Sequence, residues 1–225
     1  MPIKARRLQE EFQFFVDELT EKEMLIDLNP LVAAESEKQT RLSWTTDGGL
    51  AYLLTEHSSI EQYIEVLNRR DFSLCLKDGG LLQVDYTIKN SEITHHRLCY
   101  MPCPFQFELS EWPGVAIAEI PSLMSAADLI RDARLASPIR FDFDIDFSDD
   151  KHAHSHLTIN KKTCRIPAYG PVSLGHFFRF ILRYFYESDF DRGPWLSEIR
   201  PKLFTRTLNH PSPHEIHIES AIGYD

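Results

Sequence analysis

Residues 73–101 read SLCLKDGGLLQVDYTIKNSEITHHRLCYM, three apolar-rich runs parted by Asp78-Gly79-Gly80 and Asn90-Ser91-Glu92. Glycine supplies the positive-φ conformations that tight turns use, and short polar clusters between β-prone runs mark hairpin connections. In the middle run Leu82, Val84, Tyr86 and Ile88 alternate with Gln83, Asp85, Thr87 and Lys89. A period of two predicts a half-buried strand with one apolar and one polar face. Three such strands with tight turns make an antiparallel meander. In the third run His95 and Arg97 share one face, while His96, Leu98 and Tyr100 share the other. His96 therefore reads as a core histidine. Arg97 is placed to neutralise acids on a neighbouring strand.

A second alternating stretch lies at residues 140–156, RFDFDIDFSDDKHAHSH. Ile139, Phe141, Phe143, Ile145 and Phe147 point one way, and Arg140, Asp142, Asp144 and Asp146 the other. The return strand puts His152, His154, His156, Thr158 and Asn160 on one face. A loop of Asp149, Asp150 and Lys151 sets Asp146 opposite His154 and Asp144 opposite His156. A loop longer by one residue would place the imidazoles among the phenylalanines, where unpaired polar groups are costly, so the first register is expected. Asp144, His154 and His156 then form a candidate set for zinc or manganese. The same carboxylate and imidazole pair suits a general base. A solvated sheet face with charge-balancing Asp–His pairs is the alternative, because any half-exposed strand shows this alternation.

The flanks are helical. Leu8, Phe12, Phe15, Val16 and Leu19 form one stripe in a helix over 5–27. Residues 41–54 suggest a hairpin around Asp47-Gly48-Gly49. Ser58 or Ser59 can cap a helix to Arg70, with Glu61 or Gln62 completing a capping box. Ser122 or Ser125 begins a helix to about Leu135, and Pro138 ends it. Over 174–187, Leu174, Phe177, Phe178, Ile181, Leu182 and Phe185 form a core stripe. Arg179, Arg183 and Tyr186 line up on the other side, either as a stripe for RNA or as arginine stems covering rings. The expected fold is a single α+β domain over 1–225: an antiparallel sheet with N-terminal helices and an aromatic C-terminal helix packed on it.

A formal charge of −10 argues against coating duplex DNA by bulk electrostatics. The charge is uneven: residues 108–150 carry ten acids and three bases, residues 161–206 nine bases and four acids. The charged start MPIKARRLQEEF shows no signal peptide, and no apolar run approaches a membrane span, so a cytoplasmic protein is expected. Four cysteines lack framework spacing and read as reduced, mostly buried thiols; Cys99 and Cys103 make only a weak zinc knuckle. No P-loop, dinucleotide fingerprint, nucleophile elbow or kinase signature is present.

The order R-F-D, H-x3-H, R-I-P and an aromatic helix appears here as Arg140-Phe141-Asp142, His152 to His156, Arg165-Ile166-Pro167, and Phe177 through Tyr186. In this the chain resembles the bacterial domain of unknown function 2290, over roughly residues 80–190. Ala153 stands where that family usually has proline, and His154 is additional. The resemblance directs attention to Arg140, Asp142, His152, His156 and Arg165, and implies a defence-type or mobile gene context without an established activity. Two function classes stay open. One is a non-catalytic component of a defence or toxin-type operon. It would bind a protein encoded nearby, or weakly RNA or single-stranded nucleic acid, through Arg140, Arg165, Arg179 and Arg183, and a homodimer stays open. The other is a metal-dependent phosphodiesterase with Asp142, His152 and His156 as catalytic groups.

Overall fold

The computed structural model describes residues 3–45, 59–135, 137–147 and 153–186. Helix α1 (Ile3–Glu21) buries the expected Leu8–Phe12–Phe15–Val16–Leu19 stripe. It stops short of residue 27, because Glu23 turns through positive φ (54°) and the chain continues as β1 (Leu25–Leu28). β2 (Val32–Glu35) and β3 (Thr40–Ser43) follow. The turn expected at Asp47-Gly48-Gly49 lies outside the described residues, and β3 pairs with β2 and β5. Helix α2 (Ile60–Arg69) starts at Ser59, with Gln62 completing the capping box.

The meander forms as the alternation predicts. β4 (Leu74–Leu76), β5 (Leu81–Lys89) and β6 (Glu92–Met101) pair antiparallel in sequence. Gly79 takes φ +82° in the first turn, where its carbonyl accepts from the Tyr63 hydroxyl at 2.7 Å. After a long connection carrying α3 (Ile120–Leu123) and α4 (Ala126–Asp132, capped by Ser125), the chain adds β7 (Ile139–Asp144), β8 (Ser155–Ile159) and β9 (Arg165–Pro167). Helix α5 (Leu174–Phe185) closes the described fold. Among the described residues the sheet has nine strands, in the order β1-β4-β5-β6-β7-β8-β9, with β3 sharing the β4 edge of β5 and β2 outside β3. The architecture is α+β with an open antiparallel sheet.

The two faces of the sheet are covered differently. On the first, Val84, Tyr86, Leu98, Phe141, Phe143 and Leu157 pack with α1 and α5 in the main core. Phe15 and Phe178 stack there at 4.1 Å between centroids, tying the two helices together. Burying one such ring contributes about 1.5–3 kcal/mol. On the second face a smaller cluster, including Tyr63, Phe72, Cys99, Met101, Phe105 and Ile120, covers one end. β5 is consequently buried on both faces along most of its length, not half-buried as its alternation suggests. Cys75, Cys99 and Cys103 are free, buried thiols, and burial pushes Cys103 up to about 11 and Cys99 to about 12. The rest of the second face is charged.

Candidate functional site

Because every pair is antiparallel and side chains alternate, one row crosses four strands on the second face. Asp85 (β5) lies opposite Arg97 (β6), Arg97 opposite Asp142 (β7), and Asp142 opposite His156 (β8). The next row holds Gln83, Cys99, Arg140, Thr158 and Arg165. Such cross-strand neighbours stand about 5 Å apart, close enough for direct pairing.

Asp142 is the hub. Arg97 Nε donates to its Oδ1 at 3.0 Å and Arg140 Nε to its Oδ2 at 2.6 Å, with His156 Nε2 3.5 Å from Oδ2. Asp142 and Arg140 are both buried. Burial alone would raise the carboxyl's pKa, but the His156 contact and the charges of Arg140 and Arg97 hold it well below the usual carboxylate range. A carboxylate so engaged is a poor proton acceptor. Asp85 is matched separately by a bidentate contact from Arg41 (β3). Arg97 therefore neutralises the acidic face, as its strand position suggests.

The register differs from the expected one by two residues. His156 faces Asp142 rather than Asp144, and Asp144 N donates to His154 O at 2.8 Å. The reason is local. β7 ends at Asp144, whose carboxylate accepts from Asp146 N at 3.0 Å, so the chain turns there. Ile145 and Phe147, expected on the core face, are exposed beyond the strand end. A shift of two preserves face parity, so His154 and His156 stay off the phenylalanine side. Their Nδ1 atoms lie 3.1 Å from Asp144 O and 3.3 Å from Ala153 O respectively. Among the described residues no three His, Cys, Asp or Glu side chains are placed to hold a metal ion, so Asp144, His154 and His156 do not assemble as a ligand set. His152 lies outside the described residues.

Arg140 and Arg165 share the charged face with Thr158 between them. Arg179 and Arg183 ride on α5, which packs on the opposite, apolar face, so the four arginines do not form one patch. The Arg179–Arg183–Tyr186 stripe is also broken. The helix ends before Tyr186, which turns inward and is buried, its hydroxyl donating to Asp78 Oδ1 at 2.9 Å and lying 3.1 Å from the Tyr100 hydroxyl. Tyr184 and Phe185 are exposed instead, and Phe185 leaves the core stripe assigned to it. His96 is a core residue, as expected: its Nε2 accepts from Val172 N at 2.9 Å, and Nδ1 has no hydrogen-bond partner. Burial pushes its pKa down to about 3.

Residues 24–220 match the family model described as an uncharacterized conserved protein, DUF2290. The chain belongs to that family. The matched region reaches well beyond the 80–190 span that carries the motif resemblance, and it contains every strand of the charged face. No curated protein and no solved structure matches the chain. Among the described residues no helix is long and apolar enough to cross a membrane.

Motif reading found Arg140, Asp142, His156 and Arg165 but passed over Arg41, Asp85 and Thr158 as parts of one surface. Their signal was present in the polar phase of each strand. Only the strand order places those phases side by side.

Proposed function

We propose that the protein is a non-catalytic binding component that engages its partner through the charged sheet face, in the defence or toxin-type operon setting that the family resemblance suggests. One observation carries this reading: Asp142, whose carboxylate lies 3.5 Å from His156, is occupied by Arg97, Arg140 and His156. That arrangement leaves it suited to holding arginines in place and ill suited to accepting a proton or binding a metal. Arg97 spends only Nε on Asp142 and keeps 26% of its side chain exposed, so its Nη groups can meet a partner.

The test is co-expression with the products of the flanking genes. Size-exclusion chromatography with light scattering should show a stoichiometric complex, and Arg97→Gln, which keeps a donor for Asp142 and removes the charge, should weaken it at least tenfold while circular dichroism shows the free protein folded. Turnover of phosphodiester substrates that disappears in His156→Ala would overturn the reading.

A further inference from the structure

The outer side of α5 carries cations that the fold does not match. Arg179 and Arg183 stand one turn apart on the helix, and among the described residues neither makes a hydrogen bond or an ion pair. α5 holds no acid, and residues 161–186 hold five bases and no Asp or Glu, in a chain of net charge −10. Lys161 and Lys162, in the turn between β8 and β9, are exposed, and among the described residues their ammonium groups have no partner either. That turn begins just after Ile159, which faces Ile139, which in turn faces Tyr100. Phe185 packs on Tyr100 at 4.8 Å between ring centroids, so the lysine turn and the last turn of α5 lie at the same end of the sheet. Glu11 accepts from Gly175 N at the other end of the helix, and Asp78 accepts from Tyr186 and Gly80 N, so neither acid answers these cations.

The same side of α5 bears rings that the core does not enclose. Tyr184 is 64% exposed and Phe185 41%. Phe180, one turn before Tyr184, packs on Phe141 at 5.6 Å, on Tyr184 at 5.3 Å and on Phe185 at 6.1 Å between centroids. The exposed rings are thus braced from the core outward. The Arg183 guanidinium sits 5.5 Å from the centre of the Tyr184 ring, which sets a phosphate donor beside a stacking surface. Contiguous exposed rings mark contact with another molecule, and the cations narrow its chemistry. A second copy docked α5 on α5 would oppose arginine to arginine, whereas phosphates neutralise both.

We propose that α5 and the β8–β9 turn bind single-stranded nucleic acid, with Arg179, Arg183, Lys161 and Lys162 on the phosphates and Tyr184 and Phe185 under unpaired bases. Alternating cations and rings suit a strand whose bases are free to stack on protein. A duplex offers no free base faces, and the chain's overall charge repels its denser backbone. Phosphate and ring contacts do not read the sugar, so DNA and RNA strands bind alike. This surface lies on the opposite side of the sheet from Arg97 and Asp142, so it goes beyond the reading above and does not depend on it.

The experiment is fluorescence anisotropy of the full chain with short labelled oligothymidylate and oligouridylate, a DNA duplex of the same length, and polyglutamate, each from about 50 to about 200 mM chloride. Both single strands should bind. The logarithm of their affinity should fall against that of salt with a slope of about −2 to −3, the value for three or four phosphates on a single strand. Tyr184→Ala should weaken binding about tenfold with that slope unchanged, because it removes stacking and no charge, and Tyr184→Phe should restore the affinity. Arg179→Gln with Arg183→Gln should weaken binding and flatten the slope by about 1.4. Thermal melts report whether these variants fold. Lys161→Gln with Lys162→Gln, on an exposed turn, repeats the charge test if the helix variants do not. Absence of binding to either strand at the lower salt overturns the proposal, as does a duplex bound as tightly as a single strand, or affinity that Tyr184→Ala leaves unchanged. Polyglutamate bound as tightly as the strands also overturns it, and assigns the surface to an acidic protein.

Discussion

The two faces of the sheet solve the same burial problem with opposite chemistry. One is apolar and covered by α1 and α5; the other carries a ladder from Arg41 and Asp85 through Arg97 and Asp142 to His156. On the first, each ring contributes stability by leaving water. On the second, each charge is tolerated because its neighbour cancels it, and removing one member exposes the cost of the rest. The apolar face therefore stabilises the fold by burial, and the charged face by matching each charge to its neighbour.

Single truncations give the largest effects, and for different reasons. Phe178→Ala should cost about 3–5 kcal/mol, since it leaves a cavity against Phe15 and Phe177. Asp142→Ala should cost a similar 3–5 kcal/mol, although it removes little apolar area, because Arg97 and Arg140 lose the anion that compensates them. Urea midpoints for both variants check this. An Asp142→Ala protein as stable as the wild type would mean that water already satisfies those arginines and that the charged face is an ordinary wet surface.

Acid separates the faces by a smaller amount and in two windows. His96 sits on the apolar face with its pKa depressed to about 3, against 6.5 when exposed. The unfolded chain therefore takes up the proton first, and stability present above pH 6.5 falls as the pH drops towards 3. Between pH 6.5 and 5 this amounts to about 2 kcal/mol at most. Burial also depresses His95 and His176 and adds in the same direction. Asp142, held well below 3.8, loses its contribution only as the pH falls below that value. Denaturant midpoints measured from pH 7.5 to 4 should decline, and His96→Asn should flatten most of the decline. A wild-type stability that is constant over that range contradicts the assignment.

The end of α5 gives a finer test, at about 1 kcal/mol. Tyr186→Phe keeps the ring and removes hydrogen bonds to Asp78 and Tyr100, a change of roughly 1 kcal/mol for a buried hydroxyl. Arg183 on the same helix is exposed, so Arg183→Glu should stay within about 0.5 kcal/mol of wild type. Equal costs in thermal melts would mean that Tyr186 is not anchored as described.

Much of this was legible in the residues. The meander, the Ser59 capping box, the α1 stripe and the face parity of the 139–159 strands all follow from short-range periodicity and turn chemistry. What escaped depended on ends and on neighbours. The hairpin register rested on loop length, and Asp144 ended β7 early by bonding to Asp146 N. Tyr186 fell in helical phase with Arg179 and Arg183, but phase means nothing once the helix has stopped. β1 and β2 are short strands at the sheet margin with little alternation, and only their partners define them. The charged ladder was legible one strand at a time. Its members are far apart in sequence, and no periodicity within a strand says which strand lies next to it.

A double change on the charged face is the one that best sharpens the contrast. Arg41 and Asp85 form a nearly self-contained pair on the charged face, with Ser43 Oγ as a third, longer contact at 3.4 Å. Asp85 is buried and Arg41 partly so, and the Asp85 hydrogen bond raises the arginine's pKa. Asp85→Ala alone should cost about 3 kcal/mol by stranding the guanidinium. The double change Arg41→Met with Asp85→Leu removes both charges and restores volume, so it should fall within about 1 kcal/mol of wild type, on either side. A double-mutant cycle in urea measures both numbers. If the double variant is as unstable as the single one, the ladder contributes to the fold through more than local charge matching, and the two faces are less different than their chemistry implies. If the double variant is as stable as the wild type, the pair is retained for something other than folding, and its loss should appear in binding of the partner.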